Sequence, residues 1–183
     1  MPTGDDLIAL AAHMEWADAQ TWSTVLQSRA ARDDERTRGW LHHLHTVQRA
    51  FTSIWRGEAP RFVDAASFDG LPAMATWGRA ALADLRAALD AADAAAIARP
   101  VELPWAARFA PAGGTLTHPT LGETALHLAL HTAHHRGQVL ARLRELGAEP
   151  PTVDYIAWIW KGRPAPQWPR NVLTPTSDDR VID

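Results

Sequence analysis

The stretch LHLALHTAHHRGQ, residues 126–138, places two histidines, His131 and His135, four residues apart. On an α-helix, residues i and i+4 lie on the same face, so two imidazoles with this spacing can bind one metal ion. The same helix has an apolar stripe, formed by Leu121, Ala125, Leu128, Val139, Leu143 and Leu146. At 100° per residue, His135 lies about 50° and His131 about 90° from the centre of this stripe. We therefore expect both rings at the edge of the core, where they need polar partners.

Two polar residues follow this pair on the same helix. Gln138 comes three residues after His135, so its amide can orient a ligand ring or hydrogen-bond a water on the metal. The alternative is that Gln138 is simply exposed. Arg136 lies about 50° from the apolar stripe, which is unusually far inward for a charged group. We expect it to form an ion pair with Glu15 or Asp18 of the first helix.

A third metal ligand must come from another helix, and the predicted second helix offers three histidines. His43 lies about 85° from the centre of its apolar face and His45 about 115°, whereas His42 lies roughly opposite. His43 is therefore the best candidate. His45 stays an alternative because Gln48 shares its side of the helix, and His42 is expected to be solvated. Two further histidines are expected to be solvated or to support the ligands from outside: His127 and His134.

Four long amphipathic segments are predicted to be helices. They run from about Asp5 to Ser28, from Arg36 to Arg56, from Pro72 to Asp93, and from Thr120 to just before Gly147. The last begins with a capping-box pattern, Thr-Leu-Gly-Glu at residues 120–123. Four helices of about 20 residues predict an all-α protein and, in particular, a four-helix bundle, a fold that often builds metal sites on facing helices.

The remaining segments are shorter or irregular. Residues 99–119 are rich in proline and glycine and predict a short hairpin or an irregular loop between the third and fourth helices. Residues 154–160 predict a short helix. We expect a helical domain over residues 1–161 and a proline-rich tail that is extended on the surface over residues 162–183.

Composition narrows the function classes. The chain has 183 residues, a formal net charge of −3 and no run of lysine or arginine, which argues against nucleic acid as a partner. It has no cysteine, so any metal must be held by nitrogen and oxygen, which suits zinc or nickel best, with iron or manganese as alternatives. The N-terminus lacks the basic region of a signal peptide, and no apolar run approaches about 20 residues. We expect a cytoplasmic protein without a membrane partner.

The tryptophans raise the question of assembly. Trp16 lies nearly opposite the apolar stripe of the first helix, so it meets a further element or lies at a subunit interface. We expect it to be covered by the tail after Gly162 or by a second subunit, and a homodimer is favoured because aromatic residues are enriched in interface cores. Three others are candidates to line a substrate cavity, with core packing as the alternative: Trp55, Trp77 and Trp105.

Several segments resemble the DinB/YfiT-like superfamily of metal-binding four-helix bundles. The most specific is His-Thr-Ala-His-His-Arg-Gly-Gln at residues 131–138, followed by Leu-Arg-Glu-Leu-Gly at 143–147, Pro-Pro at 150–151 and Asp-Tyr at 154–155. The sequence from Leu41 to Phe51, in which His43 precedes the aromatic residue by eight positions, is similar to the superfamily's second-helix motif. Met-Glu-Trp-Ala-Asp at residues 14–18 is similar to its first-helix signature, with Asp18 where many members have asparagine.

The resemblance implies a metal triad at His43, His131 and His135, the same three residues that the periodicity favours. Three imidazoles leave open positions, as in catalytic rather than structural zinc sites. Characterised members of the superfamily include transferases and isomerases that use low-molecular-weight thiols, and others are assigned only as metal-dependent hydrolases. We therefore expect a metal-dependent enzyme whose divalent ion activates water or a small thiol for a small-molecule substrate. The alternatives are a thiol-dependent S-transferase and a metal-binding stress protein without catalysis.

Overall fold

The computed structural model describes residues 2–109 and 116–173, and the secondary structure of these residues is helical, without strands. The α-helices are α1 (Gly4–Gln27), α2 (Arg29–Arg32), α3 (Glu35–Trp55), α4 (Gly70–Asp90), α5 (Ala94–Ala98), α6 (Leu121–Glu145) and α7 (Tyr155–Trp160). Short 3-10 turns occupy Ala65–Ser67 and Ala106–Phe109. The predicted all-α class is confirmed. No helix in this part of the chain is long and apolar enough to cross a membrane.

Local sequence signals define the ends of the long helices. Thr120 and Glu123 form the predicted capping box at the start of α6, each accepting a hydrogen bond from the other's backbone N–H. At the start of α3, the Asp34 side chain accepts from the Thr37 backbone N–H at 2.8 Å. Gly147 follows α6 with a φ of 78°, a left-handed conformation that only glycine adopts without strain.

The four long helices pack in a closed ring, in which α1 contacts α4 and α6, and α3 contacts the same two helices. Two apolar clusters fill the interior. The first includes Leu7, Met14, Phe51, Leu85 and Leu128, and the second includes Trp22, Leu41, Met74, Val139 and Leu143. The residues of the first cluster come from the N-terminal halves of α1 and α6 and from the C-terminal halves of α3 and α4. Therefore α1 and α6 run in one direction, and α3 and α4 run in the other.

A layer of buried polar side chains lies between these two apolar clusters. It consists of Asp18, His45, Gln48, Thr132 and Arg136, each less than 4 % exposed. On every helix these residues lie between the positions that enter the first cluster and those that enter the second. Buried polar groups must be hydrogen-bonded to be tolerated, so this layer constrains how α1, α3 and α6 fit together.

The segment between α5 and α6 forms no hairpin in the residues that the structure describes. One isolated bridge joins Pro100 to Thr120, and the Val101 N–H donates to the Pro119 carbonyl at 2.7 Å. Proline has no backbone N–H, so Pro100 and Pro119 cannot extend this pairing into a ladder. Of the two predictions for this segment, the irregular loop is therefore the one observed before residue 110 and after residue 115. Residues 110–115 of the predicted hairpin or loop lie outside the described residues.

Trp16 is buried, with 3 % of its surface exposed, and it meets a further element, as one of the expectations had it. It packs in a separate apolar cluster with Ala17 and with Trp158 of α7. The Lys161 ammonium lies 5.5 Å from the centre of the Trp16 ring. The short helix α7 therefore covers Trp16, instead of the tail after Gly162 or a second subunit. Trp16 therefore gives no reason to expect a second subunit, and a homodimer stays a prediction.

Residues 162–173 contain no helix or strand, and they are anchored to the long helices. Trp168 packs against both main apolar clusters, and its indole N–H donates to the Glu15 carboxylate at 3.4 Å. Val172 is 3 % exposed, and its carbonyl accepts a hydrogen bond from the Arg79 guanidinium at 3.2 Å. This part of the predicted tail is therefore tied to α1 and α4. Residues 174–183 lie outside the described residues.

Candidate metal centre

Three histidines from two neighbouring helices converge at the level of the polar layer. His43 is on α3, and His131 and His135 are on α6. The centre of the His43 ring lies 5.3 Å from that of His131 and 4.6 Å from that of His135. The two rings on α6 are 4.4 Å apart, and their Nε2 atoms are 3.2 Å apart. One nitrogen from each of the three residues lies within 4.8 Å of the others, so the trio could hold a metal ion.

The separation of the two nitrogens on α6 suits an ion held by imidazoles. Zinc–nitrogen bonds of about 2.0–2.1 Å place ligand atoms roughly 2.8–3.4 Å apart in octahedral or tetrahedral geometry. The 3.2 Å between the Nε2 atoms of His131 and His135 already lies in this range. His43 is exposed, whereas the other two rings are half-buried. The cluster therefore opens to solvent on the side of α3.

The surroundings of two of these imidazoles, His43 and His131, favour their neutral form. Burial, followed by the neighbouring imidazoles of His135 and His43, lowers the pKa of His131 to about 4. The pKa of His43 is also lowered, mainly because neighbouring atoms remove part of its ring from water, and then by His135 and His42. A neutral imidazole has the lone pair that a metal ligand needs. At neutral pH the structure therefore presents ligand-ready nitrogens.

Gln138 orients one ring of the trio. Its side-chain oxygen accepts a hydrogen bond from His135 Nδ1 at 2.7 Å. An amide oxygen can only accept, so the proton of the neutral His135 ring is on Nδ1 and the Nε2 lone pair is directed at His131. Of the roles considered for Gln138, the structure shows the orientation of a ring. The Nδ1 atom of His131, by contrast, is buried and has no hydrogen-bond partner among the described residues.

His45 cannot serve as the third ligand because both of its ring nitrogens are occupied in the core. The ring is completely buried, Trp22 Nε1 donates to its Nε2 at 2.9 Å, and its Nδ1 donates to the Gln48 oxygen at 2.8 Å. The angular ranking of burial on this helix was therefore reversed, since His45 is buried and His43 is exposed. The physical reason is that α3 contacts both α4 and α6, and it buries a polar stripe as well as an apolar one.

His42 was expected to be solvated, and this expectation was wrong. Its ring stacks on Trp77 with the ring centres 5.7 Å apart, and its edge meets Phe68. Its Nε2 lies 2.9 Å from the Val63 carbonyl, to which it donates when protonated there. His42 therefore attaches the segment before α4 to α3. The expected exposure is found for two other histidines, His127 and His134.

A directed chain of hydrogen bonds runs through the polar layer behind the trio. Asp18 receives Arg136 Nη1 at 2.7 Å on one carboxylate oxygen and Gln48 Nε2 at 3.1 Å on the other. Gln48 also lies 3.4 Å from Thr132 Oγ1, and its oxygen accepts from His45. The ion pair predicted for Arg136 is thus confirmed with Asp18 as its partner. Each of α1, α3 and α6 contributes to this chain, which fixes the α3–α6 contact that the trio spans.

The sequence analysis missed most of these hydrogen bonds because it looked for buried residues only on the apolar stripes of the helices. The signal in the sequence was a polar residue at a core-facing position of a helix. Arg136 gave this signal clearly, and Gln48 gave it less clearly. Glu15, the other candidate partner of Arg136, instead accepts from Arg86 at 2.7 Å. Glu15 and Asp18 are three residues apart and therefore on the same side of α1. Periodicity alone does not show which of them pairs with Arg136.

The three tryptophans considered for a substrate cavity have different positions. Trp55 is in the first apolar cluster, and its N–H donates to Thr124 Oγ1 at 2.9 Å. Trp105 packs edge-on against Phe51. Trp77 lines a cavity of about 530 Å³ between α3 and α4. This cavity is lined by none of the three histidines, so the structure does not connect Trp77 with the candidate metal centre.

Comparison with known proteins was made for the whole chain. Residues 4–168 match the model of one protein family, whose description is the DinB family. The match covers the four long helices and all three histidines of the cluster. No curated protein matches the chain.

Proposed function

Since this chain belongs to the DinB family, we propose that His43, His131 and His135 bind one divalent metal ion and that the protein is a metal-dependent enzyme. The observation that supports this most is the convergence of three imidazoles from two helices, with one nitrogen of each within 4.8 Å of the others. When bound there, the ion acts as a Lewis acid that lowers the pKa of a coordinated water or small thiol.

The donor set favours a catalytic over a structural role. Structural zinc is closed by four protein ligands, whereas three imidazoles leave at least one position for an external molecule. The exposure of His43 gives such a molecule access. Nitrogen donors without cysteine suit zinc or nickel best, with iron or manganese as alternatives.

The chain's own residues hold the donors in place. Gln138 keeps the Nε2 lone pair of His135 available by accepting a hydrogen bond from the Nδ1–H of that ring. Arg136 and Asp18 form an ion pair whose side chains are 4 % and 3 % exposed. This pair ties α6 to α1 next to His135. Fixed ligand geometry of this kind raises metal affinity and limits which molecule can approach the open side.

The architecture that we propose for this function is a four-helix bundle over residues 1–161, followed by a tail over residues 162–183. The ring of contacts among α1, α4, α3 and α6 supports it. The trio then lies on facing helices, as is common for metal sites in such bundles. A small-molecule or thiol partner, a homodimeric assembly and a cytoplasmic location complete the proposal.

A metal-binding protein without catalysis is the second candidate. The exposure of His43 favours it, because an enzyme site usually encloses most of its substrate. The thiol-dependent S-transferase is a form of the first candidate, in which the open position receives a small thiol. The three readings predict different responses to thiols.

The test uses protein purified without a histidine tag and analysed for metal. Metal-free, zinc-loaded and nickel-loaded samples of the wild type and of His131→Ala are screened by thermal shift with low-molecular-weight thiols, and by assay with small ester and amide substrates. We expect thiol stabilisation or hydrolysis only in metal-loaded wild type. Activity or thiol stabilisation that persists in His131→Ala contradicts the assignment of the site. Metal binding without either response supports the second candidate.

A further inference from the structure

A second chemically distinctive site lies between α3 and α4. Its cavity of about 530 Å³ is within the usual range for small-molecule sites. The lining includes three arginines, Arg49, Arg56 and Arg61, and two carboxylates, Glu58 and Asp84. This local excess of positive charge contrasts with the formal net charge of −3 for the whole chain.

Arg49 of α3 and Arg56, which directly follows α3, are held in place by α4. The Arg49 guanidinium donates to the Trp77 carbonyl at 3.1 Å and lies 4.9 Å from the centre of the Trp77 ring. Arg56 donates to the Asp84 carbonyl at 3.3 Å. Arg49 and Arg56 are seven residues apart, which is two helical turns or about 10 Å. They therefore bracket a space large enough for a small molecule, and their anchoring lowers the entropy cost of binding it.

The carboxylates offset part of this charge. Asp84 is nearly buried and lies 3.6 Å from the Arg56 guanidinium, so it pairs with that group. Glu58 is exposed on the segment that follows α3, and Arg56 and Arg61 are exposed as well, so solvent screens all three charges. Arg61 comes from the same segment and lines the cavity as the third guanidinium. Three arginines and two carboxylates leave the lining a formal excess of one positive charge, which favours an anion.

We propose that this cavity binds a small organic anion whose carboxylate or phosphate group is recognised by the arginines. Guanidinium groups match both oxyanions in a bidentate geometry, and the Trp77 and Ala81 side chains offer an apolar wall for the rest of the molecule. The trio of histidines lies between α3 and α6, whereas this cavity lies between α3 and α4. The proposed anion site is therefore separate from the metal centre and does not depend on it.

The test is calorimetric titration of the full chain, treated with chelator so that no metal attracts the probe. Inorganic phosphate and benzoate are the two probes, and they distinguish phosphate from carboxylate recognition. We expect saturable binding of at least one probe with a Kd of about 1 mM or below. Arg61→Gln should weaken it about tenfold or more, since the variant removes a charge-assisted hydrogen bond.

Two variants serve as controls for location. Arg144→Gln removes an exposed arginine of α6 that lies outside the cavity and should leave the affinity unchanged. His131→Ala should also leave it unchanged, which separates this site from the metal centre. The proposal is overturned if neither probe binds saturably. It is equally overturned if Arg61→Gln and Arg56→Gln both bind the probe as tightly as the wild type.

Discussion

Replacing Gly78 with alanine tests how closely α3 and α4 approach at the polar layer. A Cβ atom at this position would meet Cδ2 and Nε2 of His45 and would lie 2.7 Å from its Cε1. The His45 ring cannot move aside, because it is completely buried and hydrogen-bonds to Trp22 and Gln48. Either the two helices separate or His45 loses at least one of these bonds.

The expected cost follows from three contributions. Overpacking a core by a methyl group costs about 1–3 kcal/mol, and a lost hydrogen bond adds about 0.5–1.5 kcal/mol. The higher helix propensity of alanine returns about 1 kcal/mol. The free energy of unfolding of Gly78→Ala should therefore fall by about 2 kcal/mol, which lowers the Tm of a chain of this size by about 4–8 °C.

Urea and thermal unfolding followed by circular dichroism measure this effect. Gly39→Ala is the matched control, because Gly39 is an exposed residue of α3 and an added Cβ there meets nothing within 4 Å. The control should be as stable as the wild type or more stable by up to about 1 kcal/mol. If Gly78→Ala unfolds at the same temperature as Gly39→Ala, the close fit of α4 against His45 is refuted.

Other variants test the ion pair, the titration and the ring orientation. Asp18→Ala leaves the Arg136 charge buried and should cost about 3–5 kcal/mol in urea unfolding; a cost below about 1 kcal/mol contradicts the buried pair. His131 has a folded pKa of about 4 and an ordinary unfolded value of about 6.5, so only the unfolded state takes up its proton between these pH values. The stability of metal-free protein should therefore fall from pH 7 to pH 5, and more steeply than in His131→Ala; equal losses would refute this. Gln138→Ala frees His135 and should weaken zinc binding about 10–100-fold in a competition titration, whereas Gln138→Glu retains an acceptor and more of the affinity. Equal affinity in Gln138→Ala and wild type would show that the hydrogen bond does not orient the ligand.

The long helices were predictable because each is periodic over about 20 residues and has clear end signals. The capping box at Thr120 and the glycine at Gly147 fix the ends of α6 within a residue or so. The end of α4 was placed three residues too late, because the alanine-rich sequence continues into α5. The break arises because the Asp93 side chain caps the new helix by accepting from the Ala96 N–H at 2.8 Å. Periodicity cannot reveal a break between two helix-forming segments.

The residues of the trio were predictable, but their environments were not. The spacing of His131 and His135 and their place beside the apolar stripe are properties of one helix, so the sequence is sufficient to identify them. The choice between His43 and His45 depends on what lies on either side of α3. A ranking by one apolar face assigned the deeper position to His43, whereas the hydrogen bond from Trp22 places His45 in the core. The burial of Trp16 likewise depends on where α7 packs after the chain leaves α6, which the pattern of the first helix does not show.

The most direct test of the metal site is a titration of zinc and nickel into chelator-treated, untagged protein, with bound metal counted per chain. The wild type should bind one ion, and His43→Ala, His131→Ala and His135→Ala should each lose this binding. His134→Ala is the matched control, because His134 is an exposed neighbour on α6 that lies outside the trio, and this variant should bind as the wild type does. Retention of wild-type affinity in any of the three ligand variants, or its loss in His134→Ala, would contradict a metal centre at these residues.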